Sequence, residues 1–340
     1  MRITRRAALL GAAGAGLAGA ARAQDALLAE AEREGSLTLY NGTFGDTIGQ
    51  EMAGKFQAEF PRVKAVVVRS TAQVVYQRLL QDRQSGMRNC DVFSSSDISH
   101  FDALMKQKRL MDWTPANAAQ IYPAFKDLYV AGQYYPALIS MMTLAYNTSK
   151  VTAAEAPKNW TDLLDPKWKG KAAVGHPGFS GYAGTWAVLM TQLYGDGFIE
   201  KLAKNNPLVG RSSNDAVTQL NSAERIVAAV PAYVALESAG RGNPIKVVNP
   251  VDGALLMVSP IALMADAPHP AAGKLFLNWF LGPENSRILV AQGAEPLNMG
   301  VPPGPGQTPI DQVKTRRPTV PEIVAGIPDM AERWRDAFGG

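Results

Sequence analysis

Short apolar runs alternate with longer stretches of helical spacing along this chain, and few folds accommodate that alternation. Residues 36–40 (SLTLY) read as a strand, and the polar turn Asn41-Gly42-Thr43 follows. Ile48, Met52, Phe56 and Phe60 then recur four apart, which lines one face of a helix. Residues 63–68 form a second, β-branched strand, 74–80 a helix and 91–93 a third strand. A helix over 98–110 comes next, capped by Ser96 or Asp97. Strands separated by helices pair in parallel, because a parallel neighbour requires a long crossover. The pattern predicts an α/β domain with a largely parallel sheet.

A second unit of the same kind follows Trp160, with strands over 171–174, 208–210, 226–230 and 245–248 and helices over 182–194 and 215–222. Two extended apolar stretches, 137–147 and 255–264, bracket this unit. They read as crossings by which the chain enters a second lobe and returns. Removing a leader leaves roughly 315 residues, more than one core usually serves. The expected division is 24–136 with 265–340 as lobe one and 143–256 as lobe two. A helix over 270–281 packs on lobe one, Pro302, Pro303 and Pro305 mark an irregular segment, and a final helix lies near 328–338.

Residues 1–23 have the order of a signal peptide: basic Arg5-Arg6, a dilute apolar run, then Ala21-Arg22-Ala23 as cleavage site. The paired arginines favour the twin-arginine route. The run is too weakly apolar for a membrane span, and no cysteine at the cleavage site offers a lipid anchor. The whole chain has 34 basic and 30 acidic residues; loss of Arg2, Arg5, Arg6 and Arg22 leaves 30 against 30. The high pI is thus partly a property of the leader, and no nucleic-acid partner follows from it. Cys90 is the only cysteine, so an intramolecular disulfide is excluded and burial must supply stability.

Four strings carry a resemblance: LTLYNGT near the mature N-terminus, LAYNTSKV at the first crossing, NWTDLLDPKWKGK, and APHPAAGKLFLNWFLGPENSRIL. Together they resemble the extracellular solute-binding proteins of ATP-driven (ABC) importers, in the cluster with iron(III), phosphonate and sugar-phosphate binders. The resemblance implies a type II periplasmic-binding-protein fold, two α/β lobes joined by a two-strand hinge. It also implies a monomer in the periplasm that closes on a small solute and docks on an ABC permease and ATPase complex. A ligand-binding partner of a membrane sensor would share fold and chemistry, and neighbouring permease genes would separate the two.

In open α/β sheets ligands bind beyond the carboxyl ends of the strands. Five loops lie there: Asn41 with Thr43; Arg69, Ser70 and Thr71; Ser94, Ser95 and Ser96; Phe179 to Tyr182 with Ser180 and Gly181; and Arg211, Ser212, Ser213 and Asn214. Each pairs hydroxyl or amide side chains with the free N–H groups of a helix start, which suit phosphate or carboxylate. Each residue alone is also an ordinary helix cap; the recurrence points to an organic anion. Arg69 and Arg211 supply the full charges. Asp252, just before the return crossing, is a candidate for an amine or metal.

Iron(III) binders of this cluster carry consecutive tyrosines in the second lobe and often a histidine after the first strand. Here Tyr233 follows Ala232, and Thr43 and Phe44 stand where the histidine would be. If iron is the cargo, Tyr233 with Tyr182 or Tyr146 must hold it. His176 is the histidine nearest a ligand loop, whereas His100 and His269 belong to helix starts, and Tyr134-Tyr135 reads as a packing pair beside the hinge. No cofactor and no catalytic residue is expected: Gly178-Phe179-Ser180-Gly181-Tyr182 lacks the second glycine of a nucleophile elbow. One cysteine and three scattered histidines build no zinc or thiol site.

Overall fold

The computed structural model describes residues 22–304 and 308–339; the expected leader lies outside the described residues as far as residue 21. Helix α1 (22–34) leads into β1 (Ser36–Gly42), α2 (Asp46–Glu59), β2 (Lys64–Arg69), α3 (Ala72–Gln84), β3 (Val92–Ser95) and α4 (Ile98–Lys106). The long strand β4 (Tyr135–Asn147) then carries the chain across. Beyond it come β5 (Ala172–Gly175), α5 (Gly181–Tyr194), α6 (Phe198–Lys204), β6 (Leu208–Gly210) and α7 (Asp215–Asn221). This half ends with β7 (Val227–Pro231), α8 (Ala232–Gly240) and β8 (Ile245–Val248). Strand β9 (Ala254–Leu263) returns the chain to α9 (Pro270–Phe280), α10 (Pro283–Ala291), β10 (Thr315–Arg316) and α11 (Val320–Phe338).

The strands run in the order β2-β1-β3-β9-β4-β7-β5-β6, with β10 on β9 and β8 on β4. β1 pairs in parallel with β2 and β3, and β5 pairs in parallel with β6 and β7. Between these two parallel blocks stands the antiparallel pair β4–β9. Residues Tyr135–Met142 of β4 face β9, and Met142–Tyr146 face β7, so one strand serves both blocks. Every residue of β4 is buried, which explains why it reads as a near-continuous apolar run without alternation. The fold is two α/β lobes joined by two strands, as the sequence predicts.

Packing of α9 on the first lobe follows from its aromatic face. Phe276 and Trp279 meet Phe56 of α2 edge-on at 5.2 and 5.6 Å, and Phe280 reaches Phe44. Glu34, at the end of α1, accepts from the amides of Ala271 and Ala272 and so satisfies the free donors at the start of α9.

The last helix departs from expectation in start and position. It begins at Val320, where Thr319 and Glu322 form a capping box, and Pro328 lies inside it. It was expected with lobe one, yet it rests largely on α5 and also touches α4. The contact with α5 is close because glycines face aliphatic side chains: a β-carbon on Gly326 would lie 2.6 Å from Val188, and one on Gly184 would lie 3.0 Å from Ile327. Arg333 ties the same helix to Asp196 and Glu200. Helix α4 also stops at Lys106, short of 110, because Lys108 turns the backbone to φ 53° and Leu110 bridges to Met264.

Candidate functional site

The carboxyl ends of strands from both lobes converge on one small cavity of about 30 Å³. Lobe one contributes Gly42, Thr43 and Phe44 after β1, Arg69 to Ala72 after β2, and Ser96 after β3. Lobe two contributes Phe179, Ser180 and Tyr182 at the start of α5, with Ser212 and Asn214 after β6. The lobes are closed on it, since a β-carbon at Gly181 would lie 2.5 Å from the Ser96 carbonyl oxygen.

The lining is rich in donors without protein partners. Thr71 is the cap residue of α3, yet its side chain makes no capping bond. Its Oγ1 is buried without a partner among the described residues, as is Oγ1 of Thr43. Such hydroxyls cost free energy unless something fills the cavity and bonds them. Ser180 caps α5, accepting from the amide of Ala183 at 3.4 Å, so this 14-residue helix points its amino end at the cavity from the second lobe as well. Arg69 donates through Nε to the Phe44 carbonyl at 3.4 Å, which lays its guanidinium along the cavity wall. The geometry can hold a compact anion between two helix starts with one arginine at its side.

Residues 88–309 match the family of bacterial extracellular solute-binding proteins. The chain belongs to that family. Among curated relatives, an uncharacterized protein of Haemophilus influenzae is 26% identical over 187 residues, 51% of this chain and 53% of its own, so the chain spans about half of that relative. A putative 2-aminoethylphosphonate-binding periplasmic protein of Salmonella paratyphi A is 24% identical over 280 residues, 77% of this chain and 79% of its own. Among solved structures, the periplasmic binding protein AfuA of Actinobacillus pleuropneumoniae, with fructose-6-phosphate bound, superposes with a TM-score of 0.80 at 19% identity, covering 89% of this chain and 98% of that one. Iron-bound HitA of Pseudomonas aeruginosa gives 0.74 at 19% identity, covering 89% and 99%. Those structural likenesses show the fold.

Several residues expected to touch the solute do other work in this solute-binding protein. Asn41 is fully buried: its Oδ1 accepts from the amides of Thr43 and Phe44 and its Nδ2 donates to the Phe44 carbonyl. It shapes the loop that Thr43 presents. Ser95 is held by His100 Nδ1 at 2.9 Å and by the Asp97 amide, so it braces α4. Ser213 lies against Gly175 within the second lobe, and its buried Oγ has no partner among the described residues. Arg211 is exposed and lies over the Phe179 ring, 5.2 Å from its centre, at the rim of the cleft.

Asp252 is far from the expected place: its carboxylate accepts from the Tyr194 hydroxyl at the end of α5, and Arg316 bonds its carbonyl. Tyr146 pairs with Val227, the first residue of β7, whereas Tyr233 lies two positions past Pro231, that strand's last residue. The two therefore sit at opposite ends of a strand and cannot share an ion. His176 accepts from the Gly178 amide and packs on Phe179 and Trp334; burial keeps its pKa low and the ring neutral. Tyr134 and Tyr135 are buried, the latter bonded to Gly132 and Trp113.

Tyr182 and Tyr233 are both buried, and Tyr233 acts electrostatically on Tyr182. Burial raises the Tyr182 phenol well above its usual value, Tyr233 raises it further, and its hydroxyl is engaged with Ser259 at 2.7 Å. Burial pushes Tyr233 up to about 12 against the opposing pull of Asn214 and Arg69. Helices α8 and α10 went unassigned in the sequence because nine residues span too few turns to show a distinct period.

Proposed function

We propose that this protein captures a small phosphorylated or carboxylated organic anion in the periplasm and delivers it, as a monomer, to an ABC permease and ATPase complex. Export by the twin-arginine leader belongs to the same reading. The observation that carries the ligand class is Thr71, a helix-capping residue whose buried hydroxyl has no partner among the described residues, lining one cavity with Ser180 of the opposite lobe. Anion contacts made by both lobes stabilise the closed form, which is the state an importer distinguishes. The phosphonate and fructose-6-phosphate in the names of a relative and a structural neighbour support the same ligand class.

Iron(III) is the second reading, and what favours it is that Tyr182 and Tyr233 are both buried and electrostatically coupled. The Tyr182 hydroxyl is engaged by Ser259 at 2.7 Å, so that bond must break before the pair can serve as iron ligands. A thermal-shift screen separates the two readings, because a solute bound only by the folded form raises the melting temperature. Inorganic phosphate, phosphonates, sugar phosphates and dicarboxylates are compared with ferric citrate and citrate alone. Shifts with organic anions support the proposal. A shift with ferric citrate alone overturns it.

A further inference from the structure

Away from the anion cavity lies a chamber of about 390 Å³ beside the crossing strand β4. Pockets that take small molecules run from roughly 300 to 1,000 Å³, so this one has room for a whole organic ligand. Its walls are largely apolar: Met141 of β4, Leu236 and Ala239 of α8, and Ile245 and Val247 of β8. The segment that follows α10 closes the remaining side. It fits tightly there, because a β-carbon on Gly293 would lie 3.1 Å from Leu236 Cβ. Lys246 and Asn249 are exposed and mark the mouth.

One wall residue is out of place among these side chains. Glu295 is only 7% exposed, yet its carboxylate has no hydrogen-bond or ion-pair partner among the described residues. Its own backbone amide bonds the Ile139 carbonyl at 3.4 Å, which fixes the residue against β4. Lys246 lines the same chamber without pairing with it, and the charged neighbour that acts on Glu295 is Asp311, of the same sign. A buried carboxylate costs free energy until a positive donor reaches it.

Two acids repel an anion from this place. Among the described residues no group of three or more His, Cys, Asp or Glu side chains could hold a metal ion, which leaves a divalent cation short of its roughly six ligands. An apolar body bearing one ammonium matches both the walls and the lone carboxylate. We infer that the chamber is a second ligand site, separate from the anion cavity, and that it takes a small organic amine. The ammonium meets the Glu295 carboxylate, and the apolar body fills the space between α8, β8 and β4.

Ligand-observed NMR titration of the full mature chain with benzylamine and with benzyl alcohol, near about pH 8, tests this. The two probes share their shape and differ in charge. Benzylamine is expected to bind about tenfold or more tightly than the alcohol, as a charged hydrogen bond requires. Near about pH 5.5 that advantage should be lost, because the amine keeps its charge while Glu295, raised to about 7, holds its proton. Glu295→Gln is expected to erase the preference for the amine. Ala239→Phe fills the chamber and spares the carboxylate, so it should weaken both probes about tenfold. The Thr71→Ala, Ser180→Ala double variant should bind benzylamine as the wild type does, since its lesion lies in the other cavity. Equal affinity for the two probes, no binding of benzylamine, or an affinity unchanged in both Glu295→Gln and Ala239→Phe overturns the inference. So does loss of benzylamine binding in the double variant, which would seat the amine in the cleft.

Discussion

Gly181 meets Ser96 across the cleft at a distance that admits no side chain, because a β-carbon on Gly181 would lie 2.5 Å from the Ser96 carbonyl oxygen and 2.6 Å from Asp97 Cα. The obstacle is backbone, which cannot rotate aside. Gly181→Val should therefore wedge the lobes apart. Solute affinity is expected to fall about tenfold or more, since a closed state costing about 1.4 kcal/mol extra shows as a decade in Kd. Small-angle scattering with saturating anion checks the cause: the variant should stay larger than the liganded wild type. Equal radii would place the cost elsewhere.

The two candidate arginines should separate cleanly. Arg69 lines the cavity and is anchored on the Phe44 carbonyl, whereas Arg211 is exposed over Phe179. Arg69→Ala should weaken anion binding by about 1.5–3 kcal/mol, as for a charged hydrogen bond. Arg211→Ala should cost about 0.2–1 kcal/mol, the range of an exposed charge. Titration calorimetry on both variants decides, and the reverse order would relocate the anion to the rim.

Asn41→Ala should destabilise the fold by about 2–4 kcal/mol, because it leaves the Thr43 and Phe44 amides without their acceptor in a buried loop and removes one of the two bonds to the Phe44 carbonyl. Denaturant unfolding measures it. Affinity should fall too, since the same loop presents Thr43. A variant with native stability would show that the loop holds its shape without this side chain.

Glu295, away from the anion cavity, should set part of the pH dependence of stability. Burial, helped by Asp311, raises its carboxyl from 4.5 to about 7. The folded protein then holds a proton that the unfolded chain releases between those values. Its contribution is fully present below pH 4.5 and is lost as the pH rises through about 7, a loss on the order of 3 kcal/mol. Glu295→Gln should melt higher than the wild type at pH 8 and converge with it near pH 4.5. Parallel melting curves across that range would exclude the effect.

Architecture was readable in this chain because periodicity reports burial. The helical stripe Ile48-Met52-Phe56-Phe60, the β-branched strands and the unbroken apolar run of β4 each have one physical reading. The rule that ligands sit at strand carboxyl ends then located Thr43, Ser70, Thr71, Ser96, Ser180, Tyr182 and Ser212, which share one cavity. Side-chain direction was not readable. Nothing in NGTF says that Asn41 turns back on its own loop, and nothing in NPVDG says that Asp252 meets Tyr194, 58 positions away. Pro328 misled for a different reason: it resembles a helix start, but the capping box at Thr319 and Glu322 begins the helix two turns earlier.

In the proposed function one anion is held jointly by Thr71 of the first lobe and Ser180 of the second. Titration of the anion with the largest thermal shift into wild type and into the Thr71→Ala, Ser180→Ala double variant tests it directly. We expect one-site binding in the wild type and a loss of roughly a hundredfold or more in the double variant, from two charged hydrogen bonds of about 1.5–3 kcal/mol each, with its unliganded melting temperature little changed. Undiminished affinity in the folded double variant would place the anion elsewhere.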